Sequence, residues 1–323
     1  MVDKYKTILV TVIIVVIILV SVLVYFKYTV PAEYNIPSEL IIVDALSRTV
    51  SLNKTPERIV SLAPSITELV FLLGQEDKLI GVDSFSYNSS YLGISYYCRE
   101  HNISDVGGYW WSTIDIEKII SLNPDLILAD MGAHIKLNQT FYEYGLTVIY
   151  LHGGSSSSIN DIYSDIDIIA SVFDVEDKAS ELKNNISLKV ENAEQYAIKN
   201  CLNGTRVLIV VGFYNGIWVS GEQTYIDDLL NNIGLDNAAK VTGWSIASIE
   251  DIARWDPDAI IIASMGIDYN VINESGLPLL KKPMIILNST ETDILVRPGP
   301  RLGDAALLIV YKLFNAIGGC KLV

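Results

Sequence analysis

The sequence predicts an α/β protein of two similar lobes, each with a central parallel sheet, joined by one long rigid helix. A ligand cleft lies between the lobes, and an N-terminal transmembrane helix precedes them. Three observations predict this. Short β-branched runs alternate with helical patterns on both sides of residues 159–203, the rhythm of a parallel sheet covered on both faces. Residues 176–199 hold neither Gly nor Pro and carry one apolar stripe (Ala179, Leu182, Ile186, Val190, Ala193, Ala197) at spacings of 3 and 4, which is one long helix. Residues 111–130 and 244–263 repeat at a constant offset of 133, with 8 of 20 positions identical.

Taken in order, residues Thr7 to Phe26 form a run of 20 without a charge, long enough as helix to span a hydrocarbon core. Lys4 and Lys6 ahead of it place the N-terminus in the cytoplasm and the rest outside. Val22–Phe26 offers no small-x-small cleavage site and no cysteine follows, which argues for an uncleaved anchor over a signal peptide or a lipidated form. Residues 1–27 are therefore the cytoplasmic tip and anchor, and 28–39 a tether broken by Pro31 and Pro37. The N-terminal lobe is expected at 40–158, opening with a hairpin over 41–52. Its strands are expected near 58–62, 79–82, 125–130 and 147–151, and its helices near 66–74, 115–122 and 137–144. Interlobe helices occupy 159–203. The C-terminal lobe, 204–323, has strands near 206–212, 259–263 and 284–287 and helices near 223–233, 248–255 and 302–317.

Composition bounds the chemistry. The 323 residues carry 23 Lys+Arg against 38 Asp+Glu, a net of −15. Residues 1–27 carry three Lys against one Asp, a net of +2, so the exported part carries −17. Such a chain repels phosphate and excludes a nucleic-acid partner. Eight Asn-x-Ser/Thr triplets, at Asn53, Asn88, Asn102, Asn138, Asn185, Asn203, Asn273 and Asn288, agree with export and predict a surface glycoprotein. No phosphate loop, nucleophile elbow, His-Glu-x-x-His or dinucleotide fingerprint occurs.

Both copies of the repeat run from Trp111 or Trp244 through Glu117 or Glu250 to Asn123-Pro124-Asp125 or Asp256-Pro257-Asp258 and a strand. Together with Arg58-Ile59-Val60-Ser61-Leu62-Ala63-Pro64-Ser65-Ile66-Thr67-Glu68-Leu69 and Arg297-Pro298-Gly299-Pro300-Arg301, these residues resemble the periplasmic binding proteins of ABC importers for iron–siderophore, haem and vitamin B12. That is the class whose lobes are joined by one rigid helix. The resemblance covers about residues 40–320. It implies a membrane-anchored, extracellular, monomeric solute-binding protein, not an enzyme, that hands a metal chelate to an ABC permease and its ATPase. It also implies that Glu117 and Glu250 dock onto that permease. Trp111 and Trp244 match tryptophans of the vitamin B12-binding members, Trp218 matches an aromatic there, and Asp130 stands where those members place another tryptophan.

Candidate ligand contacts are Trp110, Trp111, Trp218 and Trp244 as aromatic walls, Arg297 for an anionic group, and Ser65, Asp130 and His152 at strand ends. A corrinoid is the first ligand, with a ferric siderophore or haem next. No resident cofactor is expected, and three scattered histidines (His101, His134, His152) argue against a bare-metal site. A ferric phenolate from the tyrosines crowding 84–110 stays open. Ser65-Ile66-Thr67-Glu68 reads as a capping box. Cys201 and Cys320 are a disulfide candidate, leaving Cys98 odd. The rival readings are a ligand-sensing surface ectodomain and a surface hydrolase using Asp130 and Asp268 as paired carboxylates.

Overall fold

The computed structural model describes Lys4, Lys6, residues 13–22 and residues 40–320. The chain forms two compact units, Met1–Glu39 and Leu40–Val323. In the first, residues 13–22 are helical with exposed side chains. The rest of the apolar run, and the tether over 28–39, lie outside the described residues. Among the described residues no helix is long and apolar enough to cross a membrane.

The second unit opens with an antiparallel hairpin of β1 (Leu40–Val43) and β2 (Thr49–Leu52). Asp44 forms its turn, accepting the N–H groups of Leu46 and Arg48 at 3.0 Å each. Arg48 returns to Asp44 and stacks over the Tyr150 ring, docking the hairpin on the first lobe. That lobe holds a five-stranded sheet in the order β5-β4-β3-β6-β7, all parallel. The strands are β3 (Ile59–Ser61), β4 (Leu79–Val82), β5 (Ser104–Asp105), β6 (Leu126–Asp130) and β7 (Val148–Leu151). Every residue of β6 and β7 is buried, because helices cover both faces.

The second lobe is built alike around β8 (Arg206–Gly212), β12 (Ala259–Ile262) and β13 (Met284–Ile286), which run parallel, with a short β10 (Asp236–Asn237) beside β8. Its sheet departs from the expected all-parallel order at one edge. There β9 (Ile217–Ser220) and β11 (Trp244–Ala247) pair antiparallel in the order β11-β9-β8-β12-β13. The cause is local: Asn215 and Gly216, both at positive φ, turn the chain straight back after β8.

The long helix runs Glu176–Lys199, as its stripe predicts, preceded by a helix Ile159–Phe173. One continuous core threads both lobes on this side. It takes Ile59, Leu128 and Ile149 from the first sheet and Val207, Ile209, Ile261 and Ile285 from the second, with Ile162, Ile166, Ile169, Ala179, Ile186 and Ala193 between them. The last helix, Leu302–Ile317, packs along the long one and closes this core. Two further clusters fill the far face of each sheet.

Candidate functional site

The sequence repeat is a structural repeat. Helices Ile116–Leu122 and Ile249–Trp255 each end on a left-handed residue, Asn123 and Asp256, both at φ 48°, where Asn and Asp are tolerated. Pro then blocks the helix, and the next aspartate ties the lobe's first strand down. Asp125 Oδ1 accepts the Arg58 N–H at 2.9 Å, and Asp258 Oδ2 accepts the Arg206 N–H at 2.9 Å. At the other end Asp115 and Ser248 cap the helices through the N–H of Lys118 and Asp251. Glu117 and Glu250 thus occupy the same position, second in each helix, one per lobe. Both are exposed, and neither forms an ion pair among the described residues.

Aromatic side chains gather where strands end. In the β9–β11 pair Trp218 lies opposite Ile246 and Trp244 opposite Ser220. The period of two therefore puts Trp218, Trp244 and Ile246 on one face, while Ile217, Val219 and Ala247 enter the core. Trp218 Nε1 donates to the Tyr214 carbonyl at 2.7 Å, so its ring is held. On the first lobe Trp110 and Trp111 are 59% and 42% exposed, and Lys136 lies 4.7 Å over the Trp111 ring. Phe85 after β4, Tyr214 after β8 and Tyr269 after β12 are exposed as well. The sequence reading passed over these three. Large exposed apolar groups at the C-terminal ends of both sheets were the signal that finds them.

Between the lobes, Trp244 Nε1 donates to the Gly154 carbonyl at 3.1 Å. Its ring packs 5.8 Å from that of Tyr225, whose hydroxyl donates to the Leu295 carbonyl. Gly154 N–H in turn donates to Asp130 Oδ2 at 2.7 Å, which also accepts from the Tyr109 hydroxyl at 2.7 Å; Asp130 Oδ1 accepts the Ala133 N–H. Asp130 is thus buried and spent on the loop beneath the aromatic residues, so the expected direct ligand contact is corrected to a supporting role. His134 Nδ1 accepts the Asp130 N–H and its Nε2 faces the Tyr109 carbonyl at 2.6 Å, which fixes the proton on Nε2. Burial lowers its pKa, so it stays neutral. His152 is half-buried, with Nδ1 2.8 Å from Asp165 Oδ1; that hydrogen bond raises its pKa.

Two further expectations change. Ser65 does not cap. The helix begins a turn-position earlier at Pro64, whose fixed φ and missing N–H suit its first residue, and runs Pro64–Leu72. Thr67 instead joins a buried hydroxyl chain with Ser61 at 2.8 Å and Ser86 at 3.0 Å, which ends on Asp83. Ser65 lies under the backbone of Gly299, where a Cβ would stand 2.9 Å from that of Ser65. Glu68, 1% exposed, reaches across the lobes: Oε1 and Oε2 receive Arg301 Nη2 and Nε at 2.7 and 2.9 Å, and Oε1 receives Arg297 Nη1 at 3.0 Å. Arg297 also pairs with Asp293 at 2.8 Å, and Arg301 lies 4.3 Å over the Tyr91 ring. Arg297 is therefore engaged by carboxylates of the protein itself, Glu68 and Asp293. Burial raises the pKa of Glu68 against the pull of both arginines.

The tyrosines of 84–110 are largely committed. Tyr87 underlies Arg99, Tyr97 stacks on His101, and burial pushes the phenols of Tyr91, Tyr97 and Tyr109 upward, away from phenolate. Among the described residues no three His, Cys, Asp or Glu converge on a metal position. The hydrolase pair is absent too: Asp130 is spent as described, and Asp268 caps the helix Tyr269–Glu274. Cys201 and Cys320 form a disulfide with Cα atoms 5.1 Å apart, and Cys98 is free and buried.

Comparison with known proteins agrees with this geometry. Residues 59–276 match the family described as periplasmic binding protein. An uncharacterized ABC transporter substrate-binding lipoprotein of Bacillus subtilis, YvrC, is 29% identical over 270 residues, 81% of each chain. The vitamin B12-binding protein of Pectobacterium carotovorum is 25% identical over 261 residues, 80% of this chain and 88% of that one. A periplasmic haem-binding protein of Pseudomonas aeruginosa shares the fold at a TM-score of 0.65 and 22% identity, covering 82% of this chain and 95% of that one. Two lobes joined by one long helix, aromatic side chains at the strand ends and a family match over residues 59–276 lead to one conclusion: the chain belongs to the periplasmic binding protein family and is a solute-binding protein.

Proposed function

We propose that the chain is the substrate-binding subunit of an ABC importer, held at the outer face of the cell membrane, and that it captures a metal chelate between its lobes. A corrinoid is the first ligand, and a ferric siderophore or haem the alternative. The observation that carries this is the gathering of aromatic side chains where the strands end, exposed Trp110 and Trp111 on one lobe and half-buried Trp218 and Trp244 on the other. Aromatic faces bind a broad, flat, largely apolar body through area and stacking, with few polar groups needed. The relatives named for vitamin B12 support the corrinoid. His152, whose Nε2 has no partner among the described residues, supplies one polar contact.

Glu117 and Glu250 present one carboxylate per lobe at equivalent helix positions, which supports docking onto cations of a permease that is driven by its ATPase. Because one chain carries both acids, a monomer suffices. The uncharged run Thr7–Phe26 supports an uncleaved single-pass anchor, and the sequons support glycosylation outside the cell. No catalysis is involved. Ligand desolvates against the aromatic faces, the stiff spine allows only slight closure, and the loaded lobes dock.

The test is isothermal titration of the full chain with cobalamin, haemin and a ferric siderophore. One-to-one binding of a corrinoid is expected. Binding of a ferric chelate alone would keep the importer reading and replace the ligand, while silence across the panel would overturn the proposal.

A further inference from the structure

We propose that Asp130 is a positioning residue that couples the two lobes. Its one buried carboxylate holds the loop bearing Trp110 and Trp111 and, through Gly154, the indole of Trp244, so the aromatic side chains of both lobes are set before a ligand arrives. This rests on the reading of those tryptophans as ligand walls and deepens it by naming what fixes them.

Asp130 ends β6 and is 1% exposed. Its two oxygens serve three donors. Oδ1 accepts the Ala133 N–H at 3.0 Å and so caps the turn that follows its own strand. Oδ2 accepts the Tyr109 hydroxyl and the Gly154 N–H, each at 2.7 Å. The Tyr109 arm leads to the first lobe's tryptophans. Its ring meets that of Trp110 edge to face at 5.1 Å, and His134 Nε2 holds its carbonyl at 2.6 Å. The Gly154 arm leads to the other lobe, where the Gly154 carbonyl receives Trp244 Nε1 at 3.1 Å. Two residues on, the Ser156 carbonyl receives the backbone N–H of Tyr225, and the Tyr225 ring packs against Trp244. One carboxylate and one glycine therefore separate the Tyr109 hydroxyl from the Trp244 indole.

The loop is shaped for this contact. Gly153 sits at φ 49°, and a Cβ there would run into the Asp130 carboxylate; one on Gly154 would stand 3.0 Å from the Tyr109 hydroxyl. Two glycines let the backbone close on its acceptor. The acceptor must be a carboxylate, because an asparagine amide, whichever way it is turned, points its NH2 at a backbone N–H, that of Ala133 or that of Gly154. Hydrogen bonds chained in this way strengthen one another, and walls already in place spend none of the binding energy on being ordered.

The Tyr109 hydroxyl and Trp244 Nε1 lie on different lobes and meet only through this relay, so the test is whether they act independently. The full chain, Tyr109→Phe, Trp244→Phe, their double variant and Asp130→Asn are titrated with cyanocobalamin. In the ligand-free proteins, solvent exchange of the Trp244 indole proton is followed by NMR. Tyr109→Phe and Asp130→Asn are expected to speed that exchange about tenfold, although neither touches Trp244. Tyr109→Phe and Trp244→Phe are each expected to weaken cyanocobalamin about threefold, and the double variant no further, since each breaks the same relay. Unchanged indole exchange in a folded Tyr109→Phe chain overturns the proposal, and so do losses that multiply in the double variant. Should Asp130→Asn fail to fold, Tyr109→Phe, which deletes one hydroxyl, decides. If the wild-type chain does not bind cyanocobalamin, that ligand assignment fails on its own, and the indole exchange alone decides the relay.

Discussion

Reduction of the Cys201–Cys320 bridge gives a quantity that follows from the chain path. The bond joins the segment after the long helix Glu176–Lys199 to the segment after the last helix Leu302–Ile317, which pack side by side, and closes a loop of 119 residues. On the chain-entropy account, opening that loop frees about 16 cal/mol/K in the unfolded chain, or about 5 kcal/mol at 25 °C, and measured losses for native bridges run about 2–5 kcal/mol. At roughly 2.1 cal/mol/K per residue, the 281 residues from Leu40 to Cys320 unfold with about 0.6 kcal/mol/K, so the midpoint should fall by about 3–8 °C. The assay is a thermal melt by circular dichroism with and without reductant, paired with thiol titration. The unfolded, unreduced chain should show one thiol, Cys98, and the reduced chain three. A double variant Cys201→Ser/Cys320→Ser should melt where the reduced protein does. A reduced protein with three titratable thiols and a midpoint within 1 °C of the oxidised one would refute the reasoning.

Three further outcomes are expected. Burial pushes Asp83 up to about 6 from 3.8, against the hydrogen bonds from Ser86 and Phe85. The folded form therefore holds a proton that the unfolded form has released between pH 4 and 6, and stability falls as pH rises through that window, by at most about 3 kcal/mol. Denaturant titrations should show that loss in the wild-type chain and a flatter profile in Asp83→Asn; identical profiles would contradict it. At Gly303 a Cβ would stand 2.8 Å from Lys189 Cβ and 3.0 Å from the Ile186 carbonyl, where the last helix meets the long one. Gly303→Ala should therefore destabilise by about 1–2 kcal/mol despite alanine's better helix propensity, and an unchanged melting point would show that the helices can part freely. Charge reversal at both Glu117 and Glu250 should leave ligand affinity and melting point unchanged while abolishing uptake in cells, and transport that survives it would end the docking assignment.

How much of this was legible in the sequence varies by the range of the interaction. The long helix was read to the residue, because a stripe at spacings of 3 and 4 without Gly or Pro is a local signal. The lobe repeat was legible because Asn123-Pro124-Asp125 and Asp256-Pro257-Asp258 perform the same three tasks: a left-handed stop, a block and a strand tie. The β8–β9 hairpin was missed although Asn215-Gly216 between apolar runs is a turn signal, since β9 is only four residues long. Ser65-Ile66-Thr67-Glu68 matched a capping pattern, but Pro64 takes the first helical position and Glu68 finds far stronger partners. Those partners lie 229 and 233 residues away, and nothing local in either segment announces them. The same holds for two of the three donors to Asp130, Tyr109 and Gly154, which lie 21 and 24 residues away.

The central claim is that the ligand binds between the lobes against tryptophans of both. It is tested most directly by titrating the wild-type full chain, Trp111→Ala, Trp244→Phe and the double variant Trp111→Ala/Trp244→Ala with cyanocobalamin, following tryptophan fluorescence and heat together. Stacking lost at about 1 kcal/mol or more per ring predicts roughly fivefold to thirtyfold weaker binding for Trp111→Ala. A milder loss is expected for Trp244→Phe, and no detectable binding for the double variant, with melting curves that still show a folded chain. A double variant that binds cyanocobalamin as tightly as the wild type would place the ligand elsewhere and contradict the account.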